Sequence, residues 1–156
     1  MALFKRIAVA IDGSSVAKVA LRESIKLAQD QQSALRIVFV VDVVPPGGES
    51  PYALTEYEDA VRRDGDRVLK QAAAAARKAG VEAETVRLEV QSLRDRIADE
   101  IARNAKAWRA DLIVIGTHGR RGLSRMFIGS VAESLIRIAP APVLLIRGRQ
   151  GPSESS

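Results

Sequence analysis

The chain has 156 residues, 47% of them hydrophobic and 28% charged, which suits one globular domain with a core of its own. It contains no cysteine, which excludes a disulfide framework, a thiolate metal cluster and a cysteine nucleophile. The formal charge is +5, but basic residues are interleaved with acids along most of the chain and only Arg120, Arg121 and Arg125 are positive without nearby acids; aromatic residues make up only 4% of the chain. Both features disfavour nucleic-acid binding.

The N-terminal segment lacks the pattern of a secretory signal. Its apolar run is short and ends at Asp12, without a longer hydrophobic region or a small-residue cleavage pattern. No window of the sequence approaches the roughly 20 apolar residues needed to cross a bilayer. We therefore expect a soluble, cytoplasmic protein.

Strand and helix patterns alternate in the first half of the chain. Lys5 to Ile11 is a β-branched apolar run that predicts a buried strand, and it ends at a turn and helix-start cluster, residues 12–15. Ala34 to Val43 predicts a second, nearly continuously apolar strand, which residues 45–48 (PPGG) break. The helix between these strands is predicted from residues at helical spacing: Ala17, Ala20, Leu21, Ser24, Ile25 and Ala28.

A long helix and an alternating strand follow. Apolar residues at every third or fourth position predict a helix from Leu54 to Ala79, with Gly65 as a weak point inside it. Val81 to Val90 alternates apolar and polar residues, which predicts a strand towards an edge of the sheet. Ser92, with Asp95 three residues later, predicts a capping-box-like start for a third helix.

The last third of the chain predicts a strand, a helix, a strand and a tail. The strands are Leu112 to Ile115 and Val143 to Ile146, and the helix between them is Ser130 to Ile138. Residues 149–156 form a polar tail with nothing to bury, which we expect to be disordered. The predicted domain therefore comprises residues 1–148.

Five strands alternating with four helices predict an open, doubly wound parallel α/β sheet of the Rossmann-like type. Ligands of such sheets bind beyond the carboxyl ends of the strands, at the point where the strand order reverses. This rule selects Asp12 and Gly13 after the first strand, Val41 and Asp42 at the second, and the residues from Gly116 onwards after the fourth.

The segment after the fourth strand, GTHGRRGLSRMFIGS, carries glycines before a helix start at Gly129 and Ser130. Backbone N–H groups at a helix N-terminus hold phosphate oxygens well, and glycine lets the chain approach them closely. The Ser130 hydroxyl could bind the same oxygens. Charge-assisted bonds could come from three nearby arginines: Arg120, Arg121 and Arg125.

The spacing Gly116-x2-Gly119-x9-Gly129-Ser130 resembles that of the universal stress protein family, in its ATP-binding branch. The resemblance runs from KRIAVAIDGS through IVFVVDV to GSVAESLIRIAPAPVLLIR, so it covers nearly the whole domain. It implies a fold of the adenine nucleotide alpha hydrolase-like type. It also implies ATP or another adenine nucleotide as ligand, with Mg²⁺ held through the nucleotide and Asp12, and a homodimer paired through Val143 to Ile146.

The same resemblance implies a set of binding residues. Asp12 and Val40 flank the nucleoside, and Ala10 and Ile115 line its pocket, although some ATP-binding members carry proline at the position of Ala10. The ribose and phosphates are implied to contact the remaining residues of the set: Gly116, Gly119, Arg120, Gly129, Ser130 and Val131.

Several residues have alternative interpretations. Asp12 could instead be the N-cap of the first helix. His118, the only histidine, is a candidate general base, but a solvated loop residue is the favoured interpretation. Trp108 is expected in core or rim packing. Residues 45–58 suit either a lid over the nucleotide or a loop and helix start.

Two other functions stay open. One is slow ATP hydrolysis or nucleotidyl transfer, with Arg120 and Arg125 stabilising the developing phosphate charge. The other is a dimerisation module without nucleotide. A regulatory or stress-response protein that binds ATP is the leading hypothesis, because the loop suits phosphate binding and no catalytic base is evident beside it.

Overall fold

The computed structural model describes residues 2–43, 51–90, 96–118 and 128–148, with the backbone alone at residues 51–53. Strands and helices alternate throughout these segments, as predicted. In chain order the elements are β1 (Arg6–Ile11), α1 (Ser15–Gln31), β2 (Ala34–Asp42), α2 (Pro51–Lys78), β3 (Ala83–Val90), α3 (Ile97–Trp108), β4 (Leu112–Gly116), α4 (Ser130–Ile138) and β5 (Val143–Ile146).

The five strands form one parallel sheet in the order β3-β2-β1-β4-β5. The chain winds from β1 outwards to β3 on one side, then crosses to β4 and β5 on the other. The strand order therefore reverses between β1 and β4, which lie side by side with Ala10 opposite Ile115. This arrangement confirms the predicted doubly wound sheet and fixes its switch point.

Burial follows position in the sheet. β1 and β4 are almost wholly buried, because helices cover both faces of the central strands. β3 alternates between exposed and covered residues and lies at an edge, which confirms the expectation from its sequence pattern. β5 forms the opposite edge.

Helices cover the sheet in two layers. One face packs on α1 and α2, with fully buried Ile7, Val9 and Ile37 at its centre. The other face packs on α3 and α4 around Ile113 and Leu135.

Gly65 has a packing reason to be glycine. A Cβ atom there would lie 3.1 Å from Phe39 Cδ1 and 3.1 Å from Val41 Cγ2, both on β2. α2 therefore lies so close to β2 at this point that any larger side chain at position 65 would have to displace its neighbours. The helix continues through the glycine, because packing outweighs its low helix propensity.

The predicted start of α1 within residues 12–15 is confirmed, whereas the predicted start of α3 is wrong. The N-cap of α1 is Ser14, whose Oγ accepts from Ala17 N at 3.2 Å, so Asp12 does not cap this helix directly. α3 begins at Ile97 rather than at the predicted Ser92 and Asp95, which lie outside the described residues. Its N-cap is Arg96, and a side chain three residues later, Asp99, accepts from Arg96 N at 3.1 Å.

Trp108 packs at the rim of the sheet, as predicted. Two guanidinium groups lie near its ring, with Arg36 Cζ at 4.7 Å and Arg6 Cζ at 5.8 Å from the ring centroid. Arg6 also donates to Trp108 O at 2.7 Å, and Asp111 Oδ2 accepts from Arg6 N at 2.9 Å. These contacts tie α3 to the amino ends of β1 and β2.

None of the helices in the described segments is long and apolar enough to cross a membrane. Residues 149–156 lie outside those segments. The predicted disorder of this tail and the predicted domain boundary at residue 148 stay predictions.

The contact between Gly65 and β2 can be tested by a larger side chain. We expect Gly65→Val to lower the free energy of unfolding by about 1–3 kcal/mol, because overpacking displaces Phe39 or α2. Urea unfolding measures the change. The control is Ala74→Val at an exposed position of α2, which should cost about 0.5 kcal/mol through helix propensity alone. If Gly65→Val is instead stabilising, as propensity alone predicts, the packing explanation is wrong.

Candidate functional site

The candidate site lies at the carboxyl edge of the sheet, where β1 and β4 end next to each other. Because these strands are parallel and in register, Asp12, just after β1, and Thr117, just after β4, lie at the same edge. Sheets of this type bind ligands at such a switch point.

A tight turn fixes the backbone around Asp12. Its Oδ1 accepts from Ser14 N at 2.9 Å, and Gly13 between them has φ +83°, a left-handed conformation that suits glycine. Asp12 is half-buried. One carboxylate oxygen thus orients the turn that starts α1, and the residue stays at the sheet edge.

Thr117 joins three elements at this edge. Its N–H donates to Ile146 O of β5 at 2.9 Å, and its carbonyl accepts from Gly129 N at 2.7 Å, just before α4. It is 7% exposed. The sequence analysis assigned no separate role to Thr117. The alternation of side chains along β4 nevertheless puts Thr117 on the same face of the sheet as Ile113 and Ile115.

The N-terminus of α4 has backbone N–H groups that the helix itself does not use. Its first intrahelical bond runs from Glu133 N to Gly129 O at 3.0 Å, so the N–H groups of residues 130–132 have no partner within the helix. The N-cap is Gly129, which has no side chain to cap them. A Cβ atom there would lie 3.1 Å from Thr117 O, so glycine lets α4 start directly on the end of β4. Ser130 is exposed as the first helical residue.

Four of the predicted site residues belong to one apolar cluster between the sheet and the α3–α4 layer. Ala10 and Ile115 are buried in it, and Val40 and Val131 are half-buried beside it. The structure therefore brings these four side chains together below the edge that carries Asp12. Their roles towards a nucleoside stay predictions.

Gly116 has a packing role that the sequence did not reveal. A Cβ atom there would lie 2.6 Å from Val16 Cγ1 of α1, and one at Gly148 would lie 2.9 Å from Val16 Cγ2. Glycine at these two positions lets α1 approach the ends of β4 and β5. Gly116 thus has a structural reason to be glycine besides its predicted contact with a ligand.

His118 is not the solvated loop residue that the sequence favoured. Its Nδ1 lies 2.9 Å from Thr117 Oγ1, and its Nε2 is buried without a hydrogen-bond partner among the described residues. A buried ring nitrogen without a hydrogen-bond partner costs stability. His118 Nε2 is therefore a place where a ligand atom could bind.

The rest of the predicted loop lies outside the described residues. This applies to Gly119 and Arg120, to Arg121 and Arg125, and to most of the predicted lid. Within the described segments, no group of three or more acidic or histidine side chains is arranged to hold a metal ion. The predicted Mg²⁺ contact therefore rests on Asp12 and on the nucleotide itself.

Comparison with known proteins agrees with the fold. The Universal stress protein family matches residues 3–147. A universal stress protein of Methanocaldococcus jannaschii is 35% identical over 148 residues, which cover 93% of this chain and 83% of the relative.

Two solved structures are similar over most of the chain. A universal stress protein family member from Burkholderia pseudomallei has a TM-score of 0.73 at 38% identity, covering 91% of this chain and 95% of its own. The universal stress protein from Archaeoglobus fulgidus in complex with dAMP has a TM-score of 0.64 at 26% identity, covering 92% and 98%. With the match along its length, this chain belongs to the universal stress protein family.

Proposed function

We propose that this protein binds an adenine nucleotide, with ATP as the expected ligand, and acts as a regulatory or stress-response module. The observation that carries the proposal is the open N-terminus of α4, held against the end of β4 by the hydrogen bond from Gly129 N to Thr117 O. The dAMP bound by the Archaeoglobus fulgidus relative supports the ligand class. A cytoplasmic location stays a prediction from the sequence.

The phosphates fit the N-terminus of α4. The N–H groups of residues 130–132, which have no partner within the helix, and the positive end of the helix dipole favour an anion there. The Ser130 hydroxyl offers a further hydrogen bond. No covalent step is needed for this role.

Asp12 then needs a role compatible with its charge. A carboxylate repels phosphate oxygens at the same sheet edge, so it binds a ribose hydroxyl or holds Mg²⁺ between itself and the phosphates. The apolar wall of Ala10, Val40 and Ile115 leaves a dry surface for the base. Because Ala10 is small, this wall limits the shape of the base only weakly.

Nucleotide binding can be tested at Ser130. We expect Ser130→Ala to weaken Mg·ATP binding about tenfold, since a hydrogen bond to a charged group contributes about 1.5 kcal/mol. Isothermal titration calorimetry measures the change. The matched control is Ser15→Ala, which also removes an exposed serine from the first position of a helix, and should leave the affinity unchanged. Absence of saturable binding at millimolar ATP would contradict the proposal.

A second substitution separates the two roles of Asp12. Asp12→Asn keeps an acceptor for Ser14 N but removes the charge. If Asp12 helps to hold Mg²⁺, we expect Mg²⁺ to raise the ATP affinity of the wild type about tenfold and to leave that of this variant unchanged. A loss of similar size with and without Mg²⁺ assigns the carboxylate to the ribose. Asp30→Asn, at an exposed position near the C-terminal end of α1, is the control and should bind as the wild type does.

We further propose that two copies pair through β5. This strand is an edge of the sheet, so one row of its backbone polar groups has no partner strand among the described residues. Three large apolar side chains are exposed on α4 and β5: Ile136 is 48% exposed, Ile138 44% and Leu144 36%. An apolar patch beside an open strand edge is typical of a protein interface.

The proposed dimer can be tested with Leu144→Arg. We expect this variant to be monomeric at concentrations where the wild type is dimeric, because the interface would bury an unpaired charge. Sedimentation equilibrium measures the mass. Leu3→Arg is the control, since Leu3 is 75% exposed and lies outside β5. A monomeric wild type at high micromolar concentration would exclude the dimer.

A further inference from the structure

A groove separates α1 from α2. α3 and α4 pack directly on each other, whereas α1 and α2 lie apart on the opposite face of the sheet and leave a volume of about 550 Å³. Another cavity, of about 400 Å³, lies at the amino edge of the sheet beside Trp108. Neither cavity is lined by Asp12, Gly116 or Gly129, but one end of the α1–α2 groove reaches Ile11 and Gly13, next to the candidate nucleotide site.

Small side chains create the groove. α2 contributes Ala72, Ala75 and Ala79 to its lining, opposite Leu21 and Ile25 of α1. Leu21, Ile25 and Ala72 belong to the buried core, so the floor of the groove is apolar. Its volume lies within the roughly 300–1,000 Å³ that is usual for small-molecule sites.

The rim of the groove is positively charged. Four basic side chains line it and no acidic side chain does: Lys18, Arg22, Lys26 and Arg67. Lys26 forms an ion pair with Glu23, and Arg67 with Asp64. Within the described part of the chain, Lys18 and Arg22 form no ion pair. The free positive charge is therefore concentrated near the end of the groove that also includes Gly13.

The other end of the groove is closed by a contact between the helices. Gln29 Nε2 of α1 donates to Ala79 O, just after α2. From Lys18 to Gln29 the groove follows α1 for about 17 Å at 1.5 Å per residue. A third helix, about 10 Å or more across, does not fit between helices that a single side chain joins. A single alkyl chain does fit.

We propose that the α1–α2 groove binds a medium- or long-chain carboxylate, a free fatty-acid anion. The alkyl chain lies on Leu21, Ile25 and Ala72, and the carboxylate binds between Lys18 and Arg22. Burial of the chain supplies affinity, and the unpaired cations select a negative head group over a neutral or positive one.

Dodecanoate, used below its critical micelle concentration, is the probe for calorimetric titration of the full chain. We expect saturable binding that Ala75→Trp weakens at least about tenfold, because the indole fills the groove. Ala74→Trp is the matched control. It lies at the neighbouring exposed position of α2, does not line the groove, and should bind dodecanoate as the wild type does.

Head-group selection is tested separately. Replacing both Lys18 and Arg22 by glutamate should weaken dodecanoate binding about five- to tenfold, whereas Lys106→Glu on α3 should have no effect. Dodecanol and dodecylammonium should bind more weakly than dodecanoate. Equal affinity for the three probes would show that the groove is a non-selective apolar surface, and would overturn the proposal.

Three further outcomes would also overturn it: no saturable binding of dodecanoate, equal binding by the two tryptophan variants, or displacement of dodecanoate by Mg·ATP. An acidic amphipathic peptide that binds in its place, and loses affinity in Ala75→Trp, would assign the groove to a protein partner instead. Apart from the displacement by Mg·ATP, these results do not depend on whether Ser130 and Asp12 bind a nucleotide, so the failure of one proposal can be told from the failure of the other.

Discussion

β1 and β4 lie side by side and parallel, with Ala10 opposite Ile115, so both strands end at the same edge of the sheet. Parallel pairing requires a crossover through a helix layer, and the crossovers on the two sides of β1 leave a cleft between them. Asp12 and Thr117 reach this edge because of that register. A slip of one residue between the strands would reverse the faces of their side chains and separate the apolar wall from Asp12.

Glycine makes the close approaches around this edge possible. Gly129 lets α4 begin within hydrogen-bond distance of Thr117, so the N-terminus of the helix lies at the carboxyl end of β4. Gly116 instead admits Val16 of α1, so a substitution there tests packing before it tests binding. Gly116 and Gly129 therefore each have a packing requirement, beside the proposed contact with a ligand. Ser130, which is exposed, is the cleaner probe of the ligand.

Hydrophobic periodicity in the sequence predicted the strand and helix order, the doubly wound sheet and the edge position of β3, because burial on a parallel sheet imposes long regular patterns. Local polar contacts were harder to predict. Asp12 and Ser14 are both good capping residues, and tertiary geometry selected Ser14. For α3, the pair Ser92 and Asp95 competed with Arg96 and Asp99. The burial of the His118 ring nitrogen was not predicted either, because no local pattern reveals how a single loop side chain packs.

Amide hydrogen exchange, followed by NMR with and without saturating Mg·ATP, tests the central claim that the open N-terminus of α4 binds the phosphates. We expect amide exchange at Ser130, Val131 and Ala132 to slow at least about tenfold when Mg·ATP is bound, because these N–H groups gain acceptors. The first turn of α1, where the Ser14 hydroxyl already accepts from Ala17 N, should not change. Saturable ATP binding with unchanged exchange rates at residues 130–132 would show that the phosphates bind elsewhere.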